Sequence, residues 1–172
     1  GGYGELHYEG GDKDEIDFHR FVLFFGHKFN NRLRFFSELE LEHGLTKDTG
    51  DGSGPGEVEL EQAYIQFDLN QTHRLNAGVQ ILPIGILNQT HEPPTFYGVE
   101  RNMIEKNIIP STWWEAGLGI EGNLGDLGVS YSLMAHSGLE VPLSGGNAFK
   151  IRKGRNKVAK APANEPAFTG QV

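Results

Sequence analysis

The amino-acid sequence predicts an all-β fold: an antiparallel up-and-down transmembrane β-barrel, present as an incomplete barrel of about seven strands and the start of an eighth. Three observations predict it. Apolar and polar residues alternate with a period of two through most of the chain. Tight turns alternate with long connections. The strands run to about 10–12 residues, enough to cross a bilayer at a tilt, where globular strands average roughly 5–6.

Taken in order, residues 3–9 read as the first strand. In residues 15–29 the apolar phase slips between Phe18 and Phe21, as a bulge would cause. Residues 32–43 are the clearest case, with Leu33, Phe35, Leu39 and Leu41 on one face and Arg34, Phe36, Glu38, Glu40 and Glu42 on the other. Residues 57–69 slip phase again, between Leu60 and Ala63. The fifth strand alternates Leu75, Ala77, Val79 and Ile81 with Arg74, Asn76, Gly78 and Gln80. The sixth alternates Trp114, Ala116, Leu118 and Ile120 with Glu115, Gly117, Gly119 and Glu121. The seventh alternates Leu127, Val129, Tyr131, Leu133 and Ala135 with Gly128, Ser130, Ser132, Met134 and His136. Residues 167–172 are left for an eighth, too few to cross a membrane.

Asn30-Asn31, residues 70–72 and residues 123–126 are built of turn-forming residues. The other connections, residues 10–14, 44–56, 82–112 and 138–165, are modest to long. Short turns at one end and long loops at the other suit a membrane barrel with periplasmic turns and external loops. Alternating strands also make soluble sandwiches and lipocalin-like barrels. Strand length, loop asymmetry and a second face carrying Glu38, Glu40 and Glu42 in succession favour the membrane form, because such a face suits a watery lumen and no dry core. On this reading Leu39, Leu41, Val79, Ile81, Leu118, Ile120, Val129 and Leu133 contact lipid, while Arg34, Glu38, Glu40, Glu42, Arg74, Glu115 and Glu121 line the lumen.

Composition narrows the function classes. The chain has 172 residues, of which 37% are apolar, and a net charge of −8, so nonspecific nucleic-acid binding by the whole chain is disfavoured. There is no cysteine, which excludes disulfides and thiolate metal sites. No run of about 18 apolar residues exists, so a transmembrane helix is excluded and a transmembrane barrel is not. No signal peptide opens the sequence, which fits a mature or trimmed exported protein.

Chemistry motifs are scarce. The seven histidines show no ligand spacing, so isolated imidazoles are expected and no metal site. No Gly-x-Ser-x-Gly elbow or other catalytic constellation occurs, and no cofactor is implied. Residues 48–56 (Asp-Thr-Gly-Asp-Gly-Ser-Gly-Pro-Gly) look faintly calcium-binding, but the spacing fails an EF-hand loop and a flexible tip is the expected form. The basic run Lys150, Arg152, Lys153, Arg155, Lys157 and Lys160 reads as a solvated outer loop, its functional versions being an anion-attracting vestibule or contact with lipopolysaccharide phosphates. The acidic set Glu38, Glu40 and Glu42 is joined across a hairpin by Glu57, Glu59 and Glu61, the phase slip leaving the direction of Glu59 and Glu61 open.

The opening Gly-Tyr-Gly-Glu-Leu-His-Tyr resembles a porin first strand. Gly78, Pro83 and Gly85, followed by Phe96, Glu100 and Arg101, resemble the Gly-x-x-x-x-Pro-x-Gly strand end and Phe-x-x-x-Glu-Arg element of the phosphate-selective porin O and P family. The resemblance implies that residues 1–172 are the N-terminal portion of one porin barrel domain, a bacterial outer-membrane diffusion channel of roughly 16 strands and often a homotrimer. It also implies that residues 82–112 form an inward constriction loop. At about 31 residues that segment is too long for an idle connector. Phe96, Tyr97, Val99, Met103, Ile104, Ile108 and Ile109 are expected to pack it. Glu92, Glu100, Arg101, Glu105 and Lys106 are expected at the narrowest water. The acidic rim sits awkwardly with phosphate selectivity, which is not carried over. The function expected is passive transport of small hydrophilic solutes or ions across the bacterial outer membrane, with membrane lipid and lipopolysaccharide as partners. A soluble β-rich binding or adhesion module is the alternative.

Overall fold

The computed structural model of the chain describes residues 1–47 and 55–172. Most of the glycine-rich stretch read as a flexible tip, residues 48–54, lies outside the described residues. The fold is all-β. Eight antiparallel strands form one sheet in chain order, β1 (Gly2–Glu9), β2 (Glu15–Lys28), β3 (Leu33–Glu42), β4 (Val58–Asp68), β5 (His73–Ile81), β6 (Trp114–Leu124), β7 (Val129–His136) and β8 (Ala167–Gln171). Each strand pairs with the next, and β1 and β8 do not pair with each other, so the sheet is not closed.

Local chemistry explains the turns. The Asn30 side-chain oxygen accepts from the amides of Arg32 (2.8 Å) and Leu33 (2.9 Å). Asn70 does the same for Thr72 and His73, both at 2.9 Å. Each is a side chain imitating a backbone turn. The third turn falls later than expected. β6 runs on to Leu124, a short 3-10 turn spans Gly125–Leu127, and Gly128 takes the left-handed conformation (φ 64°) before β7 begins at Val129. Leu127, read as a strand residue, is therefore an exposed turn residue. Glycine at 128 decides this, because it accepts positive φ without steric cost.

Both phase slips are bulges. On β1 one residue, Leu6, separates Glu5 from His7, whereas two, Phe18 and His19, separate their partners Arg20 and Asp17 on β2. On β4 the residue Glu61 is passed over between Gln62, opposite Glu38, and Leu60, opposite Leu39. A bulge aims two successive side chains at one face. Here His19 and Arg20 both turn toward the polar face, as do Glu61 and Gln62.

The two faces are the reverse of a soluble domain. Phe18, Phe21, Phe25, Leu60, Phe67, Leu75, Leu118, Leu133 and Phe168 are exposed on one side of the sheet. All eight residues read as lipid-facing lie on this side, and none is buried. On the other side the buried strand residues are mostly polar, Glu38, Glu40, Glu61, Gln66, Gln80, Glu115 and His136, with Val22 and Met134 the apolar ones among them. Trp114 departs from the expected outward set: it is buried, with Lys157 Nζ 5.8 Å from its ring centre.

Candidate functional site

The polar face is covered at its loop end by the connections β5–β6 and β7–β8. The base of the first is tied by Asn88, fully buried, whose side chain donates to the carbonyls of Leu82 (2.9 Å) and Trp113 (2.8 Å) and accepts from the amide of Trp113 (2.7 Å). Leu82, Trp113 and Met134 pack beneath it. Asn88→Ala leaves the buried Trp113 amide without a partner, at about 1–3 kcal/mol, and takes one of two hydrogen bonds from each of the Leu82 and Trp113 carbonyls. Faster hydrogen exchange across residues 82–113 in the folded full-length protein is the expected result.

From that base the loop reaches across the sheet. His91 Nε2 lies 2.9 Å from Glu61 Oε2 on β4 and 3.8 Å from Glu38 Oε1 on β3. Its Nδ1 faces the Asn88 carbonyl at 3.0 Å, which fixes the ring. Gln62 donates to the second Glu38 oxygen at 2.6 Å. Glu92, next along, has its carboxyl beside Tyr3 on β1. Burial opposes a charge on His91, but the Glu38 and Glu61 carboxylates facing its ring outweigh it and raise its pKa to about 10. Burial, with Glu38 beside it, pushes the Glu92 carboxyl up to about 7. The segment is thus latched to strands β3 and β4 by one cation held between carboxylates.

The remaining loop residues divide. Glu100 is exposed and Lys106 partly so, 3.8 Å apart. Arg101 donates to Thr112 Oγ1 at 3.2 Å. Glu105, read as a group facing water, is instead buried: its two oxygens accept from the amides of Ile86 (3.1 Å) and Leu87 (3.2 Å). A carboxylate that saturates free amides inside a loop shapes the loop and is not offered to solutes. The apolar residues do not pack as expected either. Tyr97, Val99, Met103, Ile104 and Ile108 are exposed, and polar contacts hold the segment.

The basic run is not simply a solvated loop. Arg152 donates to the carbonyls of Lys106 (3.0 Å) and Ser111, and Arg155 to those of Pro110 (3.4 Å) and Thr112. Lys157 pairs with Glu57 (2.9 Å) and Glu59. The β7–β8 connection therefore staples the end of the first loop and meets the acidic hairpin, which answers the open question of Glu59 and Glu61: both face the polar side.

Of the residues read as lining a lumen, Arg34 pairs with Asp68 and Arg74 lies 3.5 Å from Glu121, all partly exposed. Glu40 is buried 3.2 Å from Arg20, which also meets Glu5 at 2.9 Å. Glu42 stays half-buried at the end of β3. Glu115 is sealed, accepting from the Trp113 indole (2.8 Å) and the Ser137 hydroxyl (2.5 Å). On the turn side the polar face opens into a hollow of about 540 Å³, lined by Arg74, Gln89, Glu121, Ser130 and Ser132.

The histidines are not isolated. His91 joins Glu38 and Glu61, and Asp17, His19 and His43 form a second group; in each group the potential ligand atoms lie within 4.8 Å of one another. The first set joins two strands and a loop, and the second joins Asp17 and His19 of β2 to His43 beyond β3, so no spacing within one segment announces either complete set.

No family model matches the chain, and no solved structure matches it. An uncharacterized protein of Aquifex aeolicus (strain VF5) is 39% identical over 177 residues, an alignment that takes in all of this chain and 39% of that protein. The chain thus spans about two fifths of the length of the curated relative it matches.

Proposed function

We propose that this chain is part of a bacterial outer-membrane porin, through whose water-filled lumen small hydrophilic solutes or ions diffuse passively. The observation that carries the reading is the inverted sheet. An exposed apolar face opposite a buried polar one is unstable in water and fits a strand whose outer surroundings are hydrocarbon. The apolar side then meets membrane lipid, and the loop ends meet lipopolysaccharide. The polar side faces solute, with no reaction catalysed and no cofactor required. The segment 82–112 narrows the passage, because it crosses the polar face from β5 to β1 and carries its own charges. Low-dielectric walls strengthen the effect of such charges on passing ions. The resemblance to phosphate-selective porins supports the channel class and a homotrimer, and leaves the selectivity open.

The test uses the full-length protein in planar bilayers. Arg101→Glu is expected to shift the reversal potential toward cation preference, and shortening residues 90–108 to raise unit conductance. If both changes leave conductance and reversal potential untouched in an assembled channel, the segment is not the constriction. A full-length protein that is monomeric and well folded without detergent overturns the membrane reading altogether.

A further inference from the structure

We infer that Asp17, His19 and His43 form a binding site for a first-row divalent transition metal of the zinc class, at the loop end of β1–β3. The inference does not depend on what the lumen conducts. His43 Nδ1 lies 2.9 Å from both Asp17 oxygens, and His19 Nδ1 lies 3.1 Å from Asp17 Oδ2. All three potential ligand atoms lie within 4.8 Å of one another. Two atoms bound tetrahedrally to one zinc at about 2.0–2.1 Å stand about 3.3 Å apart. The spacings between Asp17 and the two imidazoles therefore need only a small outward shift to accept the ion.

Backbone features hold the three groups in place. Asp17 and His19, two apart on β2, share the polar face, and the bulge that follows keeps Arg20 on that face as well. His43 sits just beyond β3 with φ at 57°, and its amide donates to the His19 carbonyl at 3.0 Å, tying the two histidines through the main chain. A non-glycine residue in that conformation is uncommon, and strain of this kind gathers at ligand sites. A second layer supports His19: the His7 ring stacks on it at 4.3 Å and 8°, and is itself held by Glu5 at 2.6 Å. The stack restrains the plane of the His19 ring.

The donor set decides the class of ion. Two imidazoles and one carboxylate suit zinc, nickel or copper, and are a poor match for magnesium or calcium, which take oxygen shells. The side chains are 25–40% exposed, so an ion can arrive from solution and the remaining coordination positions stay open.

The experiment uses tag-free, chelator-stripped full-length protein in detergent. Titrated Co²⁺ is expected to give the visible absorption of a low-coordinate nitrogen–oxygen site. Zn²⁺ should displace it at one equivalent, and millimolar Mg²⁺ or Ca²⁺ should not. His19→Gln and His43→Asn are each expected to lower Zn²⁺ affinity at least about 10-fold. Asparagine is chosen at 43 because it tolerates positive φ. His91→Asn, which removes the histidine of the other group, should leave the spectrum unchanged. The inference is overturned if the wild type shows no such absorption, if Mg²⁺ competes as well as Zn²⁺, or if His91→Asn abolishes the signal while His19→Gln and His43→Asn keep it. Should either variant fail to fold, Asp17→Asn and the wild-type competition series decide the matter.

Discussion

Leu118→Arg in the full-length protein is expected to destabilise the assembled barrel by about 2–4 kcal/mol, the cost of a lipid-facing arginine near the membrane midplane. Leu118 lies in β6 between Ala77 and Ala135, its pairing partners on either side, and is 67% exposed. Both direct partners are too small to shield a guanidinium, and the polar face lies on the other side of the strand. The measurement is unfolding by urea in lipid vesicles, followed by loss of heat-resistant migration on a gel. Ser132→Arg, on the polar face of β7, is the comparison and should cost much less. Equal stability for wild type and Leu118→Arg would show that this face meets water.

His91→Ala should be the most disruptive change within the loop. It leaves Glu38 and Glu61, each nearly inaccessible, without their shared cation, and breaking a buried pair costs about 3–5 kcal/mol. Residues 88–110 should exchange their amides faster, and unit conductance should rise. The pH dependence has a definite sign. His91 has a pKa raised to about 10 in the docked loop, so its contribution is complete below the ordinary value of about 6.5 and is lost as pH rises through about 10. Glu92, raised to about 7, also favours docking most when protonated, so its contribution falls as pH rises through about 7. Wild-type conductance should therefore climb toward the His91→Ala value in two steps on alkalinisation. Identical conductance and identical pH profiles in the two proteins would mean that the latch does not hold the loop.

The strands and their faces were legible because side-chain direction in a strand follows sequence position directly. The interruptions at Phe18–Phe21 and Leu60–Ala63 were visible for the same reason, and the Asn30 and Asn70 turns because asparagine closes them with its own side chain. Contacts between distant segments were not legible. His91 meets Glu38 and Glu61 only because the connection from β5 folds back over β3 and β4, and nothing near residue 91 encodes that path. Arg152 and Arg155 looked solvated because no acid lies near them in sequence, yet their partners are backbone carbonyls, which every segment carries. Glu105 was misplaced for a related reason: a charge in a loop can serve the loop's own amides. The apolar residues of that loop show that hydrophobicity demands a cover without saying whether the same chain provides it.

The bulges carry a further consequence, which concerns deletions. If His19 were removed, Phe18 would still point outward, Arg20 inward and Phe21 outward, so β2 would alternate without interruption. If Glu61 were removed, Leu60, Gln62 and Ala63 would likewise keep their sides on β4. Loss of a residue elsewhere in these strands, at Tyr64 for example, would invert every side chain on one flank. His19 and Glu61 are thus surplus to the sheet's own geometry, and each belongs to one of the two carboxylate–imidazole groups. In both strands the residue that the ladder can spare is the one engaged in polar chemistry.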